Sequence, residues 1–504
     1  MALTRLAAAG LLLLAPRAAA LRTLARGGAV QQGDGDGPSE TDDTSLSRRH
    51  NRTRSLRSFK EEVAQQLLDM PGFSQAAHAK QEGPPIGMDV YRGGTMRIVS
   101  SCRMNQSSCR LGEMPQGEAT AVYPGGSTRC LFGHDFMFQV FPGARDKLLL
   151  HLEGGGACWD ELTTSMAQAC TYTAEPSEIL GFYNRCEGGN PFDDYTVVFV
   201  NHCSGDLHAG NATRPWANPF IPNMAIEQRG AVNMRSVIDW IKDNMESHLS
   251  TFAFTGESAG AIGVQVWAST LLKEFSYEQA QVLADSYVGI FPDGFQSEIF
   301  KELGVCNASL LSGEAAEKCH AGNITIPDVF AGVIEEFPDV VFGSFGSKQD
   351  QAQVIFHNVA LTTQTMKKVQ AWCGEEDAMT CDISGAPPEL TEPPVPMEGT
   401  TFHLKAEAIL ESYSQQPNYV SYLQSGGAHS MLTTGFGRCP FINYDMLGPA
   451  NYWLGGRDGA QRWSAQNWTT NFFRPHRNKN SACERLIGDD DDWCEPKQAL
   501  HRLA

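Results

Sequence analysis

The stretch "FTGESAG" (254–260) sets Ser258 at the centre of Gly256-Glu257-Ser258-Ala259-Gly260, a G-x-S-x-G frame. The frame occurs by chance in many chains, so its flanks decide what it means. Upstream, "STFAFT" (250–255) is rich in β-branched and aromatic residues and reads as a short buried strand. Downstream, "AIGVQVWASTLLKEF" (261–275) has few breakers and an apolar majority, and reads as a buried helix. A strand, a tight turn with serine at its tip and a helix make a nucleophile elbow, the signature of an α/β-hydrolase. Glycine flanks the serine because a Cβ there would collide with the neighbouring strand or helix.

The rest of the core carries the same alternation. "KLLLHLEG" (147–154), "YTVVFVNH" (195–202), "QVLAD" (281–285) and "YVSYLQSG" (419–426) read as strands, with a helix over "QRGAVNMRSVIDWIKDNM" (228–245). Continuous apolar strands separated by helices predict a mainly parallel sheet covered by helices on both faces. In such sheets the loops at the strand C-termini carry the chemistry. No internal repeat occurs, and the Pro-rich "GAPPELTEPPVPMEG" (385–399) reads as a surface connection.

The chain has 504 residues and a net charge of −19. Residues 1–20 hold Arg5, an apolar run over 6–15 and Ala18-Ala19-Ala20, the layout of a signal peptide too short to span a bilayer. Residues 21–57 are rich in Gly, Ser and charge and read as a disordered leader or pro-segment. Residues 58–504 are then one catalytic domain. Residues 1–57 contain nine Arg and five acidic residues, a net of +4, which leaves −23 for the rest. Such a body repels polyanions and excludes nucleic acid as a partner. No later segment is apolar enough to span a membrane, and a secreted monomer is expected. Fourteen cysteines between Cys102 and Cys494, without repeated C-x-x-C pairs, predict loops stapled by disulfides. Sequons at Asn51, Asn105, Asn211, Asn307, Asn323 and Asn467 fit surface glycosylation.

A serine nucleophile needs a base oriented by a carboxylate, and amides aimed at the oxyanion. "HLEGGGACW" (151–159) ends a strand in three glycines, so Gly155, Gly156, Ala157 and Ala259 form the expected oxyanion hole, with the amides of Ala157 and Ala259 as donors. His429, in "QSGGAHSML", follows a strand and two glycines late in the core and is the expected base. His403, in a stretch that reads as a strand, His357 on a helix and His320 beside Cys319 are weaker candidates. The residues alone leave the acid open among Asp285, Asp293 and Asp350. His202, Cys203, Asp206 and His208 lie close together in "NHCSGDLHAG" (201–210). Their spacing fits no zinc signature and Cys203 reads as a disulfide partner, so neither metal nor cofactor is expected.

Taken together, "LLLHLEGGGACW", "VFVNHCSGD", "FTGESAGAIG", "VLADSYVGIF", "FGSKQDQAQVIFHN" and "QSGGAHSML" resemble the pectin acetylesterase family, which includes the Notum-type protein carboxylesterases. The resemblance runs over about residues 85–440 in the family's order. It implies the acid: the family's catalytic aspartate lies in a D-x-A-Q context, matched by Asp350-Gln351-Ala352-Gln353, and Asp285 is not a triad member. The implied triad is Ser258–Asp350–His429, without metal or cofactor. "NHCSGD" and the long "DSYVGIFPDG" turn depart from the family pattern and border the expected pocket. The implied activity is a secreted or cell-wall serine carboxylesterase removing O-acetyl groups from a polysaccharide such as pectin. Hydrolysis of a lipid acyl ester on a protein, and binding without catalysis on a hydrolase scaffold, are the alternatives.

Overall fold

The computed structural model describes residues 98–165, 169–176, 190–216, 224–374, 381–424 and 426–430, together with Glu62, Leu432, Phe472 and Phe473. These residues all fall in one compact unit, Arg54–Ala504. The signal peptide and leader expectations lie outside the described residues.

A nine-stranded sheet runs in the order β1-β2-β3-β5-β4-β8-β9-β10-β11. Its strands are β1 (Ile98–Arg103), β2 (Ala119–Tyr123), β3 (Phe138–Phe141), β4 (Ala144–Leu152), β5 (Tyr195–Val200), β8 (His248–Glu257), β9 (Ser276–Asp285), β10 (Val341–Ser347) and β11 (Tyr419–Gln424). Only β3 is antiparallel to its neighbours β2 and β5, so the other eight strands share one direction. A separate hairpin pairs β6 (Ala212–Trp216) with β7 (Met224–Gln228).

The period-two alternation of the strands divides the core into two layers. Leu148, Leu150, Leu152, Phe252, Phe254, Val282, Ala284 and Phe342 enter one cluster. There they meet α2 (Gly230–Asn244), α3 (Ala259–Glu274), α6 (Ile326–Glu336), α7 (Gln351–Cys373) and α9 (Gly399–Tyr413). Leu149, Ala253, Leu283, Phe345 and Tyr422 face the other way, onto Phe192, Leu432, Phe472 and Phe473. In α3 every residue from Ala259 to Ala268 is buried, which is why its sequence shows no polar stripe. Shorter helices α1 (Glu161–Ser165), α4 (Gln296–Glu302), α5 (Gly313–Ala321) and α8 (Pro388–Thr391) sit in the connections.

The five strands read from the sequence are all present. Strands β1 to β3, β6, β7 and β10 have no counterpart among those read from the sequence, and His403 lies in helix α9 rather than in a strand. Disulfides join Cys102 to Cys109, Cys130 to Cys203, Cys158 to Cys170, Cys306 to Cys319 and Cys373 to Cys381. Cys186, Cys439, Cys483 and Cys494 lie outside the described residues. Among the described residues no helix is long and apolar enough to cross a membrane.

Candidate active site

Ser258 is the single residue between the end of β8 at Glu257 and the start of α3 at Ala259. Its backbone sits at φ 53°, ψ −120°, a strained conformation for a non-glycine residue. The turn closes only because its flanks lack side chains. A Cβ on Gly256 would stand 2.5 Å from the Gly260 carbonyl oxygen, and one on Gly260 only 2.0 Å from that of Leu152. Ala259 opens α3, so its amide has no partner within the helix and points out at the positive end of the helix dipole.

The glycine-rich loop after β4 lies directly against this turn, since a Cβ on Gly154 would be 3.0 Å from the Cβ of Ser258. Gly155 and Gly156 have φ of 146° and 71°. The loop is held from behind. Thr171 N–H donates to the Gly155 carbonyl at 2.8 Å, and Cys158 N–H to Gly205 at 2.9 Å. Gln228 Nε2 donates to the Cys158 carbonyl and Arg214 Nη1 to that of Trp159. The Ala157 amide donates to the Ala169 carbonyl at 2.9 Å, so it is spent within the loop and is not available to an oxyanion. The sequence reading of Ala157 as a donor is thereby corrected, because its partner Ala169 comes from a return segment that the motif did not reveal.

Asp350 and His429 approach from the ends of the next strands. Lys348 N–H donates to Gln424, Gln349 N–H to Gly426 and Gln351 N–H to Gly427, which zips the loop after β10 to the loop after β11. His429 Nδ1 then stands 2.9 Å from both carboxylate oxygens of Asp350. Asp350 is fully buried and caps α7, accepting from the Gln353 amide at 3.0 Å and from Gln353 Nε2 at 2.9 Å. Gln353 Oε1 accepts in turn from Val288 N–H, so this glutamine, the last residue of the D-x-A-Q match, fixes the carboxylate. The His429 side chain is 22% exposed. Burial works against its charged form, but the Asp350 carboxylate, with Asp285 and Glu257 beyond it, outweighs burial and raises its pKa above 6.5.

Of the two rival acids, Asp293 is exposed on a loop. Asp285 is fully buried at the end of β9, where burial pushes its carboxyl up to about 7. Its oxygens accept from Ser286 Oγ and Leu432 N–H, both at 2.7 Å. His357 is buried in α7, His320 exposed and His403 half-buried in α9.

Ser258, Ala259, Gly156 and Ala157 form part of the wall of a small cleft that opens to solvent. The remaining wall is Trp159, Leu207, Ile262, Tyr287, Phe291, Ile299 and Phe356. Tyr287 and Phe291 belong to the long turn after β9, so that departure from the family pattern does border the cleft. In the 201–210 segment, Cys203 is bonded to Cys130, Asp206 accepts from Ser204 Oγ and Gly230 N–H, and His208 Nε2 lies 2.8 Å from the Glu153 carbonyl. Among the described residues no group of three His, Cys, Asp or Glu is arranged to hold a metal.

Comparison with known proteins places residues 126–320 in a match to the pectinacetylesterase family. The matched segment includes the glycine-rich loop, the elbow and Asp285, and stops before Asp350 and His429. Over 127 residues the chain is 29% identical to palmitoleoyl-protein carboxylesterase NOTUM of Schmidtea mediterranea; the aligned part spans 23% of this chain and 23% of that relative. Two crystal forms of the Wnt deacylase Notum from Drosophila are similar in structure at 16% and 15% identity, with TM-scores of 0.43 and 0.44. They cover 69% and 74% of this chain, and 91% and 96% of their own.

Proposed function

We propose that the protein is a secreted serine carboxylesterase in which Ser258, His429 and Asp350 act as nucleophile, base and orienting acid. The observation that carries the reading is the fully buried Asp350 at 2.9 Å from His429 Nδ1, delivered by loops zipped together beside a strained serine elbow. Nδ1 is engaged by the carboxylate, and Nε2 takes the proton from Ser258 Oγ as it attacks the ester carbonyl. The amides of Gly155, Gly156 and Ala259 are the proposed donors to the oxyanion. The alcohol leaves with the proton from His429 Nε2, and water then releases the acyl group by the same steps in reverse roles. Removing Asp350 or His429 would leave Ser258 unactivated.

The apolar walls of the cleft support an ester whose acyl group is a hydrocarbon chain, as the name of the planarian relative states for palmitoleoyl-protein esters. The net charge of −23 outside residues 1–57 counts against pectin, itself a polyanion. A second reading, removal of O-acetyl groups from a neutral glycan, draws its support from the pectinacetylesterase match. A fluorophosphonate probe tests the common core of both: it should label the secreted protein and fail on Ser258→Ala. Equal labelling of the two proteins would remove the serine mechanism.

A further inference from the structure

Asp285 is 0% exposed, and its carboxyl group takes no part in the proposed chemistry. Five hydrogen bonds gather around it and its neighbour Ser286. The Asp285 carbonyl accepts from the backbone N–H of Ser258 at 2.9 Å, which fixes the elbow. Its Oδ1 accepts from Ser286 Oγ at 2.7 Å, and its Oδ2 from the N–H of Leu432 at 2.7 Å. The Ser286 hydroxyl, having donated to Oδ1, accepts from the N–H of Ser430 at 2.9 Å. Ser286 N–H is itself tied to the Phe345 carbonyl in β10 at 2.7 Å. One strand end therefore grips the nucleophile on one side and, on the other, the two backbone amides at positions 430 and 432.

Those amides flank the base. His429 precedes Ser430, whose φ of 60° makes the chain turn sharply there. The contacts from Asp350 reach only the imidazole and say nothing about where the His429 backbone lies. Without an anchor for that backbone beyond the bonds at Gly426 and Gly427, His429 would shift, loosening Nδ1 from Asp350 and carrying Nε2 away from Ser258. A carboxylate is suited to this place because both of its oxygens accept, and a buried acid without donors would be costly.

We infer that Asp285, acting through Ser286 and the amides of Ser430 and Leu432, is a positioning residue that holds the base in register with the nucleophile. The inference rests on the serine-esterase reading for its kinetic consequence, though not for its structural one. Misplacing a base by about 1 Å costs on the order of 10²-fold in rate, and the loss falls on kcat because substrate binding does not use this contact.

The test combines kinetics with a proton NMR signature of the base. In the wild type, the His429 Nδ1–H shared with Asp350 should give a far-downfield resonance that is absent from His429→Ala. Asp285→Ala should broaden or lose that resonance and lower kcat about 10²-fold with KM unchanged. Asp285→Asn, which keeps a carbonyl oxygen for Leu432 N–H, should lose less. Ser286→Ala, a milder change that leaves the carboxylate in place, should lower kcat roughly tenfold, the size of one hydrogen bond. An unshifted resonance with wild-type kcat per folded molecule in Asp285→Ala and Ser286→Ala would overturn the inference. So would a loss confined to melting temperature. An inactive wild type that fails to react with fluorophosphonate would defeat the esterase reading instead, while the resonance would still decide the role of Asp285.

Discussion

Asp350 and His429 lie 79 residues apart in the chain and 2.9 Å apart in the fold, the carboxylate sealed from solvent and the imidazole partly exposed. A buried carboxylate so placed fixes the tautomer of the base and stabilises its charged form. Asp350→Asn keeps the shape and reverses one hydrogen bond, so it should stay folded and lose up to about 10⁴-fold in kcat with little change in KM. Asp293→Asn, on an exposed loop, should behave as wild type. Steady-state kinetics beside thermal melting checks both, and an active Asp350→Asn would remove Asp350 from the triad.

The pH profile follows from the same pair. In the proposed role His429 works as a base only when neutral, and its carboxylate neighbours outweigh burial and raise its pKa above 6.5. Activity should therefore fall on the acid side with a midpoint above pH 6.5. The stability linkage runs the other way. A His whose folded pKa is raised contributes stability that is complete below the unfolded value of about 6.5 and is lost as pH rises through the folded value. Asp350→Asn should move the kcat/KM limb to lower pH in whatever activity remains. A limb that stays in place would mean that another group sets it.

Where the sequence was readable, one local pattern sufficed. Ser258 declares itself because a strand, two glycines and a buried helix are contiguous. Asp350 could not, because β10, "VFGSFGS", has glycine at two of its seven positions and looks like a loop. Gly343 is needed there, since a Cβ would come within 2.7 Å of the Phe472 ring. With β10 unread, Asp350 had no strand end to belong to, and only the family likeness singled it out. The bonds of Asp285 to Ser286 and Leu432 were invisible for a related reason: the last spans 147 residues. Ala157 misled because amide supply in a glycine loop depends on what the return segment takes.

The histidines beneath the glycine loop predict a second pH effect. Burial lowers His151 to about 3 and His208 to about 4, whereas burial raises Asp206 to about 6. As pH falls below about 6.5 the unfolded chain takes up protons that the folded histidines refuse, so they lose stability. Asp206 opposes this, because between about pH 6 and 3.8 the folded protein holds a proton that the unfolded chain releases. Asp206→Asn removes the opposing contribution, so its melting temperature should fall more steeply from pH 6 to pH 4. The difference in slope is at most about 1.4 kcal/mol per pH unit. Parallel melting curves for the two proteins would contradict the assignment.

The Cys158–Cys170 disulfide backs the glycine-rich loop, with Gly156 bridged to Cys170 and Ala157 bonded to Ala169. Replacing both cysteines by alanine should destabilise the protein by about 2–4 kcal/mol. It should also lower kcat more than it changes KM, because in the proposed mechanism the loop faces the oxyanion and not the body of the substrate. Thiol titration of the denatured, unreduced wild type should find no free cysteine among the fourteen. Unchanged kcat in the double variant would show that the hydrogen bonds from Gln228 and Arg214 hold the loop without the disulfide.

The cleft makes the acyl chain a measurable quantity. Each methylene moved from water into an apolar site is worth about 0.8 kcal/mol, which is roughly fourfold in kcat/KM when the contact persists in the transition state. With Leu207, Ile262, Phe291, Ile299 and Phe356 lining the walls, p-nitrophenyl esters should therefore improve roughly fourfold per methylene from acetate upward, then level off once the cleft is filled. Phe356 stands against the oxyanion loop, 2.9 Å from where a Cβ on Gly156 would lie. Phe356→Ala should therefore flatten the rise with chain length while leaving acetate hydrolysis close to wild type. A profile that peaks at acetate and falls with every added carbon would reject the hydrocarbon reading of the cleft and favour glycan deacetylation.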